Sequence, residues 1–413
     1  MNTRLLDAVK YAYENSPFYR EHFSAVNMDD FSISDFENLP FTSKADVSLN
    51  NDSFYCVSRD EISEFVSTSG TSGTPITLAL TKSDLQRLAH NEFTSLSKMG
   101  FDRTDTFQLL LTLDRQFMAG IAYYSGIIKL GARVLRNGPG GVLNQLKSID
   151  VIKPTVLIAV PSFILKLIEY SEQHKIDLDS SSVKSIVCIG EPIHNRDFSH
   201  NNLAKSILDK WDVSLHSTYA STEMATAFYQ CQSQRGCHNN DELLYTEILD
   251  ENGVHVNNGE SGEIVITTLG VEGMPFVRYR TGDITTYWSG DCGCGEGSIR
   301  IGPIEGRNGE MIKFRGTTIY PQNIYNALGS MPKVKNYFVK VTQEQITTTD
   351  ITILLSSDDF VDFDIKEITS TLNSLLRVTP SVTLMPGTEI DKLISENSGR
   401  KKSRIRFIQN PES

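Results

Sequence analysis

Three short apolar runs limit the folds open to this chain: TFQLLLTL (106–113), TVLIAV (155–160) and VKSIVCIG (183–190). Each is apolar at successive positions and ends in polar, Gly or Pro residues. Such a strand needs cover on both faces. Helical spacing of apolar residues supplies that cover at 83–98, and again at Phe163, Leu167, Ile168 and Tyr170. Alternating strand and helix predict an α/β region with a largely parallel sheet over 100–230. Residues 3–14 predict one more helix. A chain of 413 residues, 39% hydrophobic, is long enough for a large domain plus a smaller one.

The texture changes from 243 onward. YTEILDENGVHVNNGESGEIVITTL alternates strand patterns with Asn/Gly turns, which predicts a more antiparallel, β-rich section. After IEGRNGE (304–310) the pattern restarts. NYFVKVT, ITILL and SVTLM read as strands, and Ile365, Ile368, Leu372, Leu375 and Leu376 share one helical face. That tail predicts a compact α+β domain of about 100 residues.

The net charge is −12. An acidic surface repels nucleic acid and anionic membrane, so neither is an expected partner. The N-terminal stretch MNTRLLDAVKYAYENSPFYR has no signal-peptide pattern, and no run approaches the roughly 18 apolar residues of a membrane span. Six cysteines in a chain this long are not a disulfide framework, so a cytoplasmic protein with free or metal-bound thiols is expected.

STSGTSGTP (67–75) lies between EISEFV and ITLALT, two strand patterns. Its glycines let successive N–H groups curl toward one anion, and its hydroxyls add donors. It lacks the G-x-x-x-x-G-K pattern of a Walker loop. By itself it fits a Ser/Gly surface loop as well as a phosphate clamp.

Four further segments follow in order: TYASTEMA (218–225), GEIVITTL…MPFVRYRTGDI (262–284), GRNGEMIKFRGTTIYPQNI (306–324) and SGRKKSRIRF (398–407). Together with the loop they resemble the core motifs of the adenylate-forming enzymes, and within that superfamily they look most like the phenylacetate–CoA ligase family. The resemblance runs from about residue 65 to 407, with RYRTGD and FRGTTIYP its most specific pieces. It implies an α/β fold with a large N-terminal domain, residues 1–307, of mostly parallel sheets with helices plus a β-rich subdomain. A small mobile C-terminal α+β domain, 308–413, would carry the catalytic lysine. It also implies a reaction: a carboxylic acid joins the α-phosphate of ATP, pyrophosphate leaves, and the thiol of coenzyme A then displaces AMP.

The same resemblance assigns roles. Ser69, Gly70, Thr71, Ser72, Gly73 and Thr74 would close on the β- and γ-phosphates. Glu223 would bind Mg²⁺, a hard cation that prefers carboxylate oxygen; read alone it is a solvated helix-start carboxylate. Thr222 would touch the α-phosphate, or else cap a helix. Tyr219 would stack on adenine, where an aromatic at a strand end is otherwise core. Asp283 and Arg307 would hold the ribose; alone they read as a turn aspartate and a surface arginine. Gly190, Glu191 and Pro192 would line the adenine pocket beyond a strand end. Lys401 would bridge phosphate and carboxylate in the first step, with Lys402 its rival one residue out of register. Gly309 stands where relatives carry a polar hinge residue.

Cys231, His238, Cys292 and Cys294 flank the β-rich section. Thiolates and imidazole suit tetrahedral Zn²⁺, and Cys237 is an alternative ligand. Spacing leaves unligated thiols equally open; the resemblance implies a structural zinc. Cys56 and Cys188 sit in apolar contexts and predict core positions. The acid pocket is expected around Phe117, Met118, Ala119, Tyr123, Tyr124 and Ala220, a small aromatic wall suited to an aryl or arylacetic acid. The acceptor is CoA or the phosphopantetheine of a carrier protein, and a homodimer is the expected assembly. A zinc-ribbon interaction module would explain the cysteines but not RYRTGD. A P-loop kinase would explain the hydroxyl loop but lacks the Walker lysine.

Overall fold

The structure is a computed structural model that describes residues 2–68, 76–308, 312–314, 317–329, 331, 333–344, 347–356, 364–376, 378–397 and 404–409. Contacts divide the chain into a larger unit ending at Ile304 and a smaller one that comprises Glu305 onward together with Gly282–Ile284.

The larger unit opens with α1 (Asn2–Asn15), α2 (Pro17–His22) and α3 (Lys44–Asn50). Ser16 caps α2, and Ser43 with Asp46 forms a capping box on α3, satisfying first-turn N–H groups. β1 (Ile62–Ser67) and β2 (Thr77–Thr81) pair antiparallel. Thr81 and Asp84 then box the start of α4 (Lys82–Met99), and Gly100 ends it with a left-handed φ of 102°.

Next come β3 (Thr106–Leu109), α5 (Met118–Leu130), β4 (Arg133–Arg136), α6 (Val142–Ile152), β5 (Val156–Ala159), α7 (Pro161–Gln173), β6 (Ser185–Cys188), α8 (Asn202–Leu208) and β7 (Ser214–Ser221). The strands lie in the order β4-β3-β5-β6-β7, all parallel. Successive side chains of a strand face opposite ways. Leu157, Ala159, Ile186 and Cys188 therefore pack with α6, α7 and α8, while Val156, Ile158 and Val187 pack with α4 and α5. This is the two-sided cover that the apolar runs demand. The strands are shorter than those runs, but Leu110 and Leu111 beyond β3 stay buried.

β7 changes partner halfway. Ser214–Ser217 pairs parallel with β6, and Thr218–Ser221 pairs antiparallel with β8 (Thr226–Gln230). From there the sheet continues through β9 (Cys237–His238), β10 (Leu244–Leu249), β11 (Ser261–Thr268), β12 (Tyr279–Trp288) and β13 (Arg300–Arg307). Its order is β10-β11-β12-β13-β9-β8-β7-β6-β5-β3-β4, eleven strands.

The first arginine of RYRTGD's approach, Arg278, is buried and has a left-handed φ of 44°. Its Nη2 donates to Glu247 at 2.9 Å, its Nη1 to the carbonyls of Glu37 and Leu39, and its Cζ lies 4.2 Å from the Phe41 ring centroid. It thus ties the N-terminal segment to the β-rich sheet.

The smaller unit contains the hairpin β14 (Ile312–Phe314) and β15 (Thr317–Ile319), then α9 (Pro321–Gly329), β16 (Asn336–Glu344), β17 (Thr347–Ser356), α10 (Ile365–Leu376), β18 (Ser381–Leu384), α11 (Gly387–Glu396) and β19 (Ile405–Gln409). The four-stranded order is β18-β17-β16-β19. Val339, Val341, Ile353 and Leu355 face α9 and α10, while Phe338 and Leu354 face α11. The three tail strands read from sequence are present; β19 and the hairpin add to them. On α10, Ile368, Leu372 and Leu376 are buried, whereas Ile365 and Leu375, near its two ends, are exposed. No helix among the described residues is long and apolar enough to cross a membrane.

Removing one partner of a buried ion pair typically costs about 3–5 kcal/mol, because a bare charge remains. Glu247 is 1% exposed and pairs with Arg278. Glu247→Leu should therefore lower unfolding free energy by ~3–5 kcal/mol in a denaturant titration; a silent substitution would mean that Arg278 finds water or another partner.

Candidate nucleotide site and metal cluster

Beyond the point where β7 leaves β6, the chain makes a tight turn. Ala225 N donates to Thr222 O at 3.2 Å, closing a turn with Glu223 and Met224 at its centre. Met224 is fully buried and anchors it. No helix starts here, so Thr222 is not a helix cap; it is half-buried, as is Tyr219. Tyr219 lies 5.8 Å from Phe228, and Ala220 is exposed. Glu223 is only 9% exposed, and Tyr279 Oη donates to its Oε1 at 3.3 Å. Tyr279 belongs to RYRTGD, so the fold joins two motifs that are far apart in sequence.

Asp283 and Arg307, both in the smaller unit, meet directly. Arg307 Nε donates to Asp283 Oδ1 at 2.8 Å; the aspartate is buried and the arginine side chain is 46% exposed. The resemblance implies a ribose role for each; the structure pairs them with one another.

Gly190 follows β6 with a left-handed φ of 75° and is exposed. Glu191 and Pro192 are half-buried. The Glu191 carboxylate accepts from Ser162 N at 2.8 Å and Ser162 Oγ at 2.9 Å, in the first turn of α7. A carboxylate there satisfies helix N–H groups and opposes the helix dipole. No sequence signal links Glu191 to Ser162, because the pair depends on β5 and β6 being neighbours.

Ser69, Gly70, Thr71, Ser72, Gly73 and Thr74 lie outside the described residues, as do Lys401, its rival Lys402, and Gly309. The residues on either side of the loop are placed: Thr68 N donates to Ile76 O at 3.0 Å, and Ile76 N donates to Thr68 Oγ1 at 3.0 Å. Ser67 N also donates to Gln116 O at 3.0 Å. Arg115 and Gln116 both hold left-handed φ values of 59° immediately before the proposed acid wall.

That wall is the start of α5. Phe117 is exposed, Ala119 and Tyr124 are half-buried, and Met118 and Tyr123 are buried. Tyr123 Oη lies 3.3 Å from Thr218 Oγ1, whose hydroxyl donates to Cys188 O at the end of β6. Burial pushes the Tyr123 phenol well above its usual range, and nearby Glu92 adds to this, so the hydroxyl stays neutral.

Cys231, His238, Cys292 and Cys294 come together, their ligand atoms all within 4.8 Å of one another. Sγ of Cys231 and Cys292 are 3.7 Å apart, and His238 Nε2 lies 3.2 Å from Cys292 Sγ and 3.5 Å from Cys294 Sγ. His238 Nδ1 meets Ser298 Oγ at 2.9 Å, which fixes the ring with Nε2 inward. Cys231 follows β8, His238 lies on β9, and Cys292 and Cys294 lie in the Gly-rich turn between β12 and β13, so the antiparallel sheet brings the four together. Cys237 points elsewhere, its thiol donating to Ser217 O at 3.7 Å, and is not in the group. Cys188 is buried, as expected, while Cys56 is half-buried.

Residues 20–273 match the model of the AMP-binding enzyme family. The chain is 28% identical over 352 residues to a phenylacetate–coenzyme A ligase of Thermus thermophilus, covering 83% of this chain and 78% of that one. It is 29% identical over 331 residues to the phenylacetate–coenzyme A ligase of Escherichia coli, covering 78% and 73%. In fold it is similar to a 2-hydroxyisobutyryl-CoA ligase solved with an acyl-adenylate, with a TM-score of 0.84, 22% identity, and 99% and 89% of the two chains covered. The chain belongs to the AMP-binding enzyme family of adenylate-forming enzymes, in the group that resembles the phenylacetate–coenzyme A ligases.

Proposed function

We propose that this protein activates a small aromatic carboxylic acid with ATP and transfers the acyl group to the thiol of coenzyme A. The observation that carries the reading is Glu223. Glu223 is 9% exposed, its carboxylate accepts from the Tyr279 hydroxyl, and among the described residues it forms no ion pair. A buried carboxylate without a cation is costly. The Mg²⁺ that accompanies ATP supplies that cation and draws negative charge from the phosphates.

In the first step a carboxylate oxygen of the acid attacks the α-phosphorus, the bond to the β-phosphate oxygen breaks, and pyrophosphate leaves. In the second, the thiol sulfur attacks the acyl carbon, the acyl–oxygen bond breaks, the thiol proton is lost and AMP departs. Thr222 at the head of the Glu223 turn would donate to the α-phosphate. Tyr219 would stack on adenine. Asp283 would accept from the ribose hydroxyls, held in orientation by Arg307. Ser69, Thr71, Ser72 and Thr74 would close on the outgoing phosphates. Residues 1–307 would form the adenylation domain and 308–413 a lid that alternates between steps, with Gly309 at the hinge supplying torsional freedom.

The acid would sit against Phe117, Met118, Ala119 and Tyr123. The aromatic content of this wall favours an aryl or arylacetic acid. The similarity to phenylacetate–coenzyme A ligases supports CoA as acceptor.

The cysteine–histidine cluster fits a structural Zn²⁺: three thiolates and one imidazole nitrogen would fill its four usual positions, leaving none for substrate. Protein purified without chelator should carry about one zinc per chain by elemental analysis. Cys292→Ser should lower both zinc content and thermal stability; metal-free wild-type protein with a silent Cys292→Ser would contradict the site.

Lys401 separates the two steps, because its charge is needed only where negative charge develops on the α-phosphate. Removing a preorganised group of this kind costs roughly 100- to 1,000-fold in rate. In a pyrophosphate-release screen over carboxylic acids, wild type should turn over at least one aromatic acid. Lys401→Ala should nearly abolish that release, yet still pass the acyl group from preformed acyl-adenylate to CoA near the wild-type rate. A crippled Lys402→Ala with an unaffected Lys401→Ala would place the lysine one residue on. Release of ADP instead of pyrophosphate would overturn the reaction.

A further inference from the structure

We propose that Arg87 is a positioning residue for Glu223, holding the turn that presents the carboxylate to the Mg²⁺ of the nucleotide. The proposal rests on the ligase reading above.

Arg87 lies on α4 and is 7% exposed. Within the large unit its guanidinium donates to three main-chain carbonyls: Nη1 to Ala225 O at 2.6 Å, Nε to Leu269 O at 2.8 Å, and Nη2 to Leu243 O. Burial lowers its pKa to about 10, so it remains a cation at neutral pH. A buried cation that faces carbonyl oxygens is an uncommon choice for filling space, and its planar fork fixes the three acceptors relative to one another.

Two of the three carbonyls are at one end of the β10–β11 pair. Leu243 precedes β10, Leu269 follows β11, and Leu269 N also donates to Leu243 O at 2.9 Å. The third belongs to the Glu223 turn. Arg87 therefore fastens that turn to the rim of the sheet.

The turn needs fastening. Ala225 closes it with a left-handed φ of 49°, a conformation that side chains with a Cβ rarely adopt. At the other end, Met224 N reaches Ser221 Oγ at only 3.4 Å, a weak restraint. Arg87 is the charged donor that holds Ala225 O. Without it, Ala225 can relax toward negative φ and swing Glu223 away from Tyr279.

α4 itself is fixed where Arg87 leaves it. One turn earlier, Asp84 accepts from Thr81 N at 2.9 Å, Glu272 N at 2.8 Å and Gly273 N at 2.9 Å. The clamp thus stands on a helix locked to the same loop that Arg87 grips.

The test uses the full-length protein and two variants, Arg87→Met and Arg87→Lys, with Leu157→Ala as a core control. Each is assayed for acid-dependent pyrophosphate release across Mg²⁺ and ATP concentrations, and for thiol transfer from preformed acyl-adenylate. Arg87→Met should raise the KM for Mg·ATP and the Mg²⁺ requirement about tenfold or more, the order of effect of a charge-assisted hydrogen bond. Arg87→Lys should fall between it and wild type, since an ammonium serves fewer of the three carbonyls. Thiol transfer should stay near wild type in both, because Mg²⁺ leaves with pyrophosphate. Leu157→Ala should lower stability without moving the KM for Mg·ATP.

If the Arg87 variants lose kcat with an unchanged KM for Mg·ATP, or lose both half-reactions in equal measure, Arg87 is only structural and the proposal is overturned. Should Arg87→Met not fold, Arg87→Lys alone decides on the same criterion. Wild-type protein that neither binds nor turns over Mg·ATP overturns the ligase reading itself, and this proposal with it.

Discussion

The change of partner within β7 is the constraint on which the rest depends. Its first half completes a parallel sheet with β6, and its second half begins an antiparallel one with β8. A strand that is parallel on one side and antiparallel on the other leaves its carboxyl end where no crossover helix covers it. In an open α/β sheet that is where ligands bind. Thr218, Tyr219, Thr222 and Glu223 all lie in or just beyond this second half. β8 must then return at once, which forces the tight turn at Thr222–Ala225 and the left-handed Ala225.

Buried charges hold this arrangement against its own strain. Arg278 joins β12 to the N-terminal segment, Arg87 joins α4 to the Glu223 turn, and Asp84 joins α4 to Glu272 and Gly273. Arg87 and Asp84 bond to main chain, and Arg278 divides its bonds between the Glu247 carboxylate and two carbonyls. A side chain that satisfies backbone groups fixes the path of a loop more strictly than apolar contact does, because hydrogen bonds are directional and an unmet buried carbonyl is costly. The apolar layers on the two sides of β5 and β6 supply cohesion; the buried charges decide where the loops go.

Much of this was legible in the sequence. The apolar runs at 106–113, 155–160 and 183–190 require a doubly covered sheet, and the shift at 243 to Asn/Gly-punctuated strands marks the antiparallel section. Apolar contexts set Cys56 and Cys188 apart, the resemblance points to Cys231, His238, Cys292 and Cys294 with Cys237 as an alternative, and the fold gathers those four. Other features could not be read. The bond from Tyr279 to Glu223, the capture of Glu191 by Ser162, and the pairing of Asp283 with Arg307 are contacts across strands or loops, and no local pattern encodes them. Arg87 looked like any charged residue of an amphipathic helix. Its role depends on three carbonyls that are distant in sequence. Cys237, adjacent to His238, points away because neighbouring strand residues face opposite sides.

The central claim is that the acid is activated at the α-phosphate of ATP. Oxygen tracing tests it most directly. A carboxylic acid labelled with ¹⁸O in its carboxylate is turned over with ATP and CoA, and the AMP is weighed by mass spectrometry. Attack by carboxylate on the α-phosphorus, followed by cleavage of the acyl–oxygen bond by the thiol, leaves one carboxylate oxygen on the phosphate. The account predicts AMP carrying a single ¹⁸O. Unlabelled AMP, or label found in phosphate beside ADP, would contradict it.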